Sequence, residues 1–338
     1  MKRNMYQWVA ELIAGNKRPL PLLSSPCVQP MGICVRELVS SAQLQAEGME
    51  LVAKQLPAAA AVSVMDLSVE AQAFGAQIRV SEDEIPTVVG ALVSEPEEAD
   101  NLEVPPVGAG RTGLCVQAIA LAAERITDRP VLAGVIGPFS LAGRLMDVSE
   151  AMIYCYDEPE MVHTVLEKCT EFLIAYCRAF QQAGANGVVM AEPLAGLLSP
   201  AMAQEFSHTY VRQIVEAVQT PEFIVIYHNC GNNVAKMAKD IYTIGATGYH
   251  FGDAVAMEKM LPDAPEGVLV MGNVSPSAAF LGGTPESVRE QTRSILSRCG
   301  EHPGFVLSSG CDIPPMAPWD NIRAFFAAAE EFEKEASL

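Results

Sequence analysis

Apolar residues in this chain come in two rhythms that alternate from end to end. Short unbroken runs at 58–66, 130–137, 187–193, 223–230, 247–251, 268–273 and 305–309 read as strands buried on both faces. Pro19 to Cys27 is an earlier run of the same kind, which makes eight. Between the runs, apolar positions recur at helical spacing. They do so over 35–56, 112–127, two helices within 148–184, 200–219, 233–244, a short piece at 254–261, 284–299 and 318–335. Another helix, 5–15, precedes the first strand and stops at Gly15 and Asn16. Strands alternating with helices build a parallel sheet. Eight such units predict an α/β fold, a (β/α)8 TIM barrel, as a single domain over 1–338. An open doubly wound sheet is the alternative, but no Gly-x-Gly-x-x-Gly turn follows an early strand.

The repeat is interrupted once, by an excursion over 67–111 after the second strand. Residues 74–80 read there as a hairpin strand, and 81–111 are acidic and rich in proline. That stretch holds too few apolar residues to form a core of its own.

The polar residues that interrupt this pattern gather in one place. Asp66, Glu192, His228, Cys230, His250, Asn273 and Cys311 all fall at or just after the carboxyl end of an apolar run. In a (β/α)8 barrel that rim is the active face. His228 and Cys230 are two residues apart at the end of a strand, so their side chains share a face. A second apolar run ends in Gly310-Cys311. One imidazole and two thiolates from separate strand ends suit a catalytic zinc site, which keeps a position open, better than a closed structural one. The two thiolates cancel the charge of the ion, leaving the centre near neutral and near −1 once a substrate thiolate binds. Such a zinc suits holding a substrate thiol as thiolate rather than activating water.

A fourth ligand is open. Glu192 is favoured, leaving when the thiol arrives; His250 or Asp253 are alternatives, Glu192 and His250 are also candidate substrate contacts, and Glu192 paired with a rim arginine is the competing reading. Asp66 is either a site residue or the N-cap of the next helix.

Composition narrows the partners. The chain of 338 residues carries a net charge of −19 and no basic stripe, which excludes a broad nucleic-acid surface. No window is apolar enough for a membrane span, and no secretory pattern opens the sequence. A cytoplasmic protein is expected. Nine scattered cysteines are then reduced, with Cys155, Cys169 and Cys177 serving as core packing.

Several stretches carry a family resemblance: 65–70 with Phe74-Gly75, 137–143, His228-Asn229-Cys230-Gly231-Asn232, 271–276, and 308–315. Over nearly its whole length the chain resembles the uroporphyrinogen decarboxylase superfamily, and within it the zinc-dependent methylcobamide:coenzyme M methyltransferase branch. The resemblance implies zinc on His228, Cys230 and Cys311. It implies methyl transfer from a methyl-corrinoid, carried on a partner corrinoid protein, to a thiol such as coenzyme M. A sulfonate pocket would need donors, for which Asn273 and Ser275 are the candidates. Decarboxylation of uroporphyrinogen is the competing activity. That family's arginine-bearing N-terminal stretch is absent, since 24–32 hold no arginine. A docking module for the corrinoid protein, without catalysis, is the third reading.

Overall fold

The computed structural model describes residues 3–15 and 17–336. Asn16, half of the expected stop after the first helix, lies outside the described residues. Among the described residues nine strands are formed: β1 (Ala61–Val62), β2 (Gln77–Arg79), β3 (Thr87–Val89), β4 (Val131–Ile136), β5 (Gly187–Ala191), β6 (Ile224–Asn229), β7 (Gly248–Phe251), β8 (Leu269–Val274) and β9 (Phe305–Ser309). Seven of them make one parallel sheet in the order β1-β4-β5-β6-β7-β8-β9, with helices between. β2 and β3 form a separate antiparallel hairpin within the expected excursion.

The curled sheet is a (β/α)8 barrel, and the Pro19 run fills its eighth place without regular pairing. Ala59 N–H donates to Pro19 O at 2.8 Å on one side, and Leu20 N–H donates to Leu307 O at 2.9 Å on the other. Leu22 N–H then donates to Ser309 Oγ at 3.0 Å. Pro21 has no N–H to give a ladder, which limits this segment to scattered bonds.

Alternation along the strands sorts two cores. Leu20, Leu22, Val62, Leu132, Val189, Ile226, Met271 and Val306 face inward and fill the barrel. The first helix, Met5–Ile13, joins this inner cluster through Met5, Trp8, Val9 and Leu12. Met5 N–H donates to Pro221 O, just before β6, so the helix plugs the amino-terminal mouth. The opposite mouth is left for the site. The outer core lies between sheet and helices and holds Cys155, Cys169 and Cys177, all buried. Burial pushes each of these thiols up, Cys177 to about 12, as inert packing residues should be.

Three local expectations are corrected. The 35–56 helix is two, Val35–Val39 and Ala42–Gln55, because Ser41 caps the second by accepting from Leu44 N–H at 3.3 Å. The 254–261 helix is two 3-10 turns, Met257–Lys259 and Leu261–Asp263, the second opened by Pro262. A helix that the apolar periodicity did not reveal, Pro138–Met146, starts directly after β4 with Pro138 in its first turn.

Strand packing makes one glycine obligatory. A Cβ at Gly187 would lie 2.4 Å from Ile224 O on the neighbouring strand, a clash that only backbone movement relieves. Gly187→Ala is expected to cost about 1–3 kcal/mol of stability. Denaturant unfolding of the two proteins checks it, with an unchanged midpoint as the contrary result.

Candidate metal centre

β6 and β9 carry the centre. Asn229 sets the turn at the end of β6: its Oδ1 accepts from Gly231 N–H at 2.9 Å, while its Nδ2 donates to Tyr227 Oη at 2.9 Å. That local loop holds Cys230 beyond the strand end. Gly252 makes room behind it, since a Cβ there would lie 2.5 Å from the Cβ of Cys230. Gly196 and Gly231 also meet face to face: a Cβ on either would lie within 2.5 Å of the other's Cα. At the end of β9, Gly310 N–H donates to Val274 O at 2.7 Å and turns the chain at Cys311.

These turns bring the predicted ligands together. Donor atoms of His228, Cys230 and Cys311 all lie within 4.8 Å of one another. His228 Nε2 is 3.4 Å from Cys311 Sγ. Tetrahedral zinc with ordinary bond lengths would separate a nitrogen and a sulfur ligand by about 3.6 Å. The donor set and its spacing therefore fit zinc. His228 is buried, while Cys230 and Cys311 are half-buried residues. The more accessible side of the group is thus the cysteine side.

The two thiols titrate together. A hydrogen bond from Cys311 and the nearby His228 pull the Cys230 thiol down, against its burial. The same bond and burial push Cys311 up. A divalent cation bound there would favour both groups as thiolates.

Other expected site residues stand elsewhere. Glu192 is not brought to the triad. Its carboxylate accepts from Phe139 N–H at 2.8 Å, Ser140 N–H at 3.2 Å and Ser207 Oγ at 2.9 Å. No arginine pairs with it among the described residues; it sits instead on the amino end of the Pro138–Met146 helix. Burial pushes its pKa up to about 7 against those donors. A Cβ at Gly137 would overlap this carboxylate, which explains the glycine. Ser207 reaches it from a π-helical turn, Gln204–His208. Ser140 follows a Gly-Pro step after a strand, and no local signal marks Ser207.

His250, expected as a substrate contact or alternative ligand, lies behind His228 with no exposed surface. Burial, and then His228, lower its pKa well below the usual value. Asn273 Nδ2 donates to Gly252 O at 2.8 Å and Val255 O at 2.7 Å. Ser275 Oγ accepts from Ala278 N–H at 3.2 Å and starts the turn Pro276–Leu281. Both side chains hold backbone. Asp253 is exposed beside Gly310.

Asp66 is not the cap of the next helix, which Ser68 flanks. Its Oδ1 accepts from Ser68 N–H and Oγ, and its Oδ2 pairs with Arg111 Nη1. Arg111 also donates to Gln72 and Ser68. Glu70 lies beside this cluster, against a narrow cavity of about 10 Å³ lined also by Cys115 and Tyr176. Glu70 Oε1 accepts from Ile136 N–H at 3.0 Å, whereas Oε2 has no partner. Burial pushes the Glu70 carboxyl up to about 7. A raised folded-state pKa favours folding below the unfolded value near 4.3 and loses that contribution as pH climbs to about 7. Glu70→Gln should therefore shrink the stability loss between pH 5 and pH 8 by roughly 2–3 kcal/mol. Unfolding free energies of both proteins at the two pH values test this; an unchanged difference contradicts it.

The chain is 28% identical over 273 residues to a methylcobamide:CoM methyltransferase, MtbA, of Methanosarcina acetivorans, covering 79% of this chain and 78% of that protein. It is 27% identical over 305 residues to the uroporphyrinogen decarboxylase of Coxiella burnetii, covering 82% and 79%. The solved structure of a methyltransferase from Methanosarcina mazei superposes with a TM-score of 0.86, at 24% identity, over 97% of this chain and 98% of that one. That likeness concerns the fold. The description of the uroporphyrinogen decarboxylase (URO-D) family matches residues 28–332, nearly the whole barrel, and the chain belongs to that family.

Proposed function

We propose that this barrel is a zinc-dependent methyltransferase that moves a methyl group between a methyl-corrinoid on a partner protein and a small thiol. One observation carries the reading: His228, Cys230 and Cys311 converge at the barrel mouth with zinc-like spacing. Zinc bound there would hold the substrate sulfur as a thiolate near neutral pH.

The chain's own residues do the rest. His228 comes from a buried strand end and gives a fixed nitrogen donor. Cys230 and Cys311 add two negative charges when ionised, which keeps the bound sulfur electron-rich. Their partial exposure points the open side toward solvent, where a carrier protein can dock. Exposed apolar side chains suit that docking: Leu197 after β5, Leu281 after β8 and Met316 after β9 are 42–53% exposed on segments that leave the carboxyl ends of strands. In the transfer, the sulfur–carbon bond forms as the cobalt–carbon bond breaks. The electron pair of the broken bond stays on cobalt, and the thiol proton has left beforehand. Alignment of sulfur, carbon and cobalt is the barrel's contribution.

Several features support this reading over its rivals. Two of the named relatives above differ in activity, one a methyltransferase and one a decarboxylase. A decarboxylase acting on a polycarboxylate would use a cationic clamp. Residues 24–32 hold no arginine, and Gln29 there is turned to Pro315 O and Ala317 O. Arg111 is engaged by Asp66. Among the described residues, no helix is long and apolar enough to cross a membrane. The nine free thiols fit a reducing cytoplasm.

Metal analysis of the freshly purified chain is expected to give about one zinc per chain. Incubation with methylcobalamin and a panel of thiols that includes coenzyme M should release cob(I)alamin or its oxidised form. Cys230→Ala should lose zinc and turnover together, by two orders of magnitude or more in rate. A fully active Cys230→Ala protein, or consumption of uroporphyrinogen without metal, would sink the proposal.

A further inference from the structure

Behind the ligand histidine runs a line of hydrogen bonds with a single direction. His228 Nδ1 lies 3.3 Å from His250 O and 2.7 Å from His250 Nδ1. A carbonyl oxygen only accepts, so His228 Nδ1 carries the proton. His250 Nδ1 must then accept. Neutral imidazole with an accepting Nδ1 carries its proton on Nε2, which faces Ser308 Oγ at 2.8 Å. The Ser308 hydroxyl, receiving that proton, turns its own to Leu20 O at 2.7 Å. His228 Nδ1–H is shared between His250 O and His250 Nδ1, each later donor has its acceptor, and reversing any member would set two lone pairs against each other. His228, His250 and Ser308 are all buried, so no solvent offers an alternative partner.

We infer that His250 is a positioning residue that locks His228 in the Nδ1–H tautomer and so keeps its Nε2 lone pair aimed at the sulfur side. The inference rests on the reading of His228 as a metal ligand. Buried partners of this kind orient ligand imidazoles and raise their basicity, and their loss typically weakens metal binding 10–100-fold. A carboxylate or a carbonyl is the usual partner. Here a second neutral imidazole takes that place, which adds no negative charge to a centre already carrying two thiolates. Ser308 makes the assignment unambiguous, because its hydroxyl has an acceptor of its own in Leu20. It also ties the line to the segment that closes the barrel.

Two measurements on the full chain test it. Nitrogen-15 spectra of the histidine rings in the metal-free protein should show His228 protonated on Nδ1 and His250 on Nε2. A His228 Nδ1 that carries no proton overturns the proposal. Chelator competition should give His250→Leu a zinc affinity about 10–100-fold below the native chain. His250→Asn, whose amide oxygen can stand near the former Nδ1, should recover most of the loss, and Ser308→Ala should fall between. Equal zinc affinity of His250→Leu and the native chain overturns the proposal while leaving the metal site intact. A native chain that takes up no zinc refutes the metal reading instead, and the ring spectra still decide the tautomer. They also decide it should His250→Leu fail to fold.

Discussion

In-register parallel pairing from β4 through β9 is the constraint on which everything else rests. It sets Ala191, His228 and His250 side by side on adjacent strands. It sets Asn273 beside Ser308 farther round. Curling this sheet into a barrel turns the ends of β6 and β9 toward each other, and residues 83 apart in sequence then meet across the mouth. A slip of one residue in β6 would turn His228 out of the interior and into the helical layer. The ligand group is thus a product of register first and of local loops second.

Much of this was legible because the chain separates its signals. Strand runs such as Ile224–Asn229 are apolar without a break, and the polar residues that end them stand out. The strand positions and the joining of Cys311 to His228 and Cys230 followed from that contrast. What stayed hidden was chemistry between layers. Glu192 reads in sequence as a carboxylate at a strand end, which fits a ligand as well as a helix cap. The Pro138–Met146 helix decides the matter, and its apolar residues are too uniform to show a helical period. Likewise His250 looks the same in sequence whether it faces the mouth or stands behind a neighbour. Arg111 lies in an acidic, irregular stretch, so nothing local marks it as the partner of Asp66.

Two buried carboxyls bracket the barrel rim, and they are handled differently from the paired one. Asp66 is ion-paired, whereas Glu192 is held by amide and hydroxyl donors and Glu70 by a single amide on one oxygen. Desolvation outweighs these neutral donors, which is why both glutamates titrate near neutrality. Carboxyls that go uncharged as needed limit the negative field around a centre whose ligands are themselves anionic. The overall charge of −19 is carried on the exterior, where water screens it.

The hydroxyl-to-carbonyl contact at Leu20 gives the assembly an order in time. His228 and Cys230 emerge from the ribosome well before Cys311, and the Leu20 strand waits for β9 before it can bond on that side. A nascent chain therefore owns two donors without the third, and Ser308 is not yet there to fix the line behind its imidazole. Metal capture is deferred until the last strand docks, so an unfinished or truncated polypeptide should be a poor scavenger of zinc.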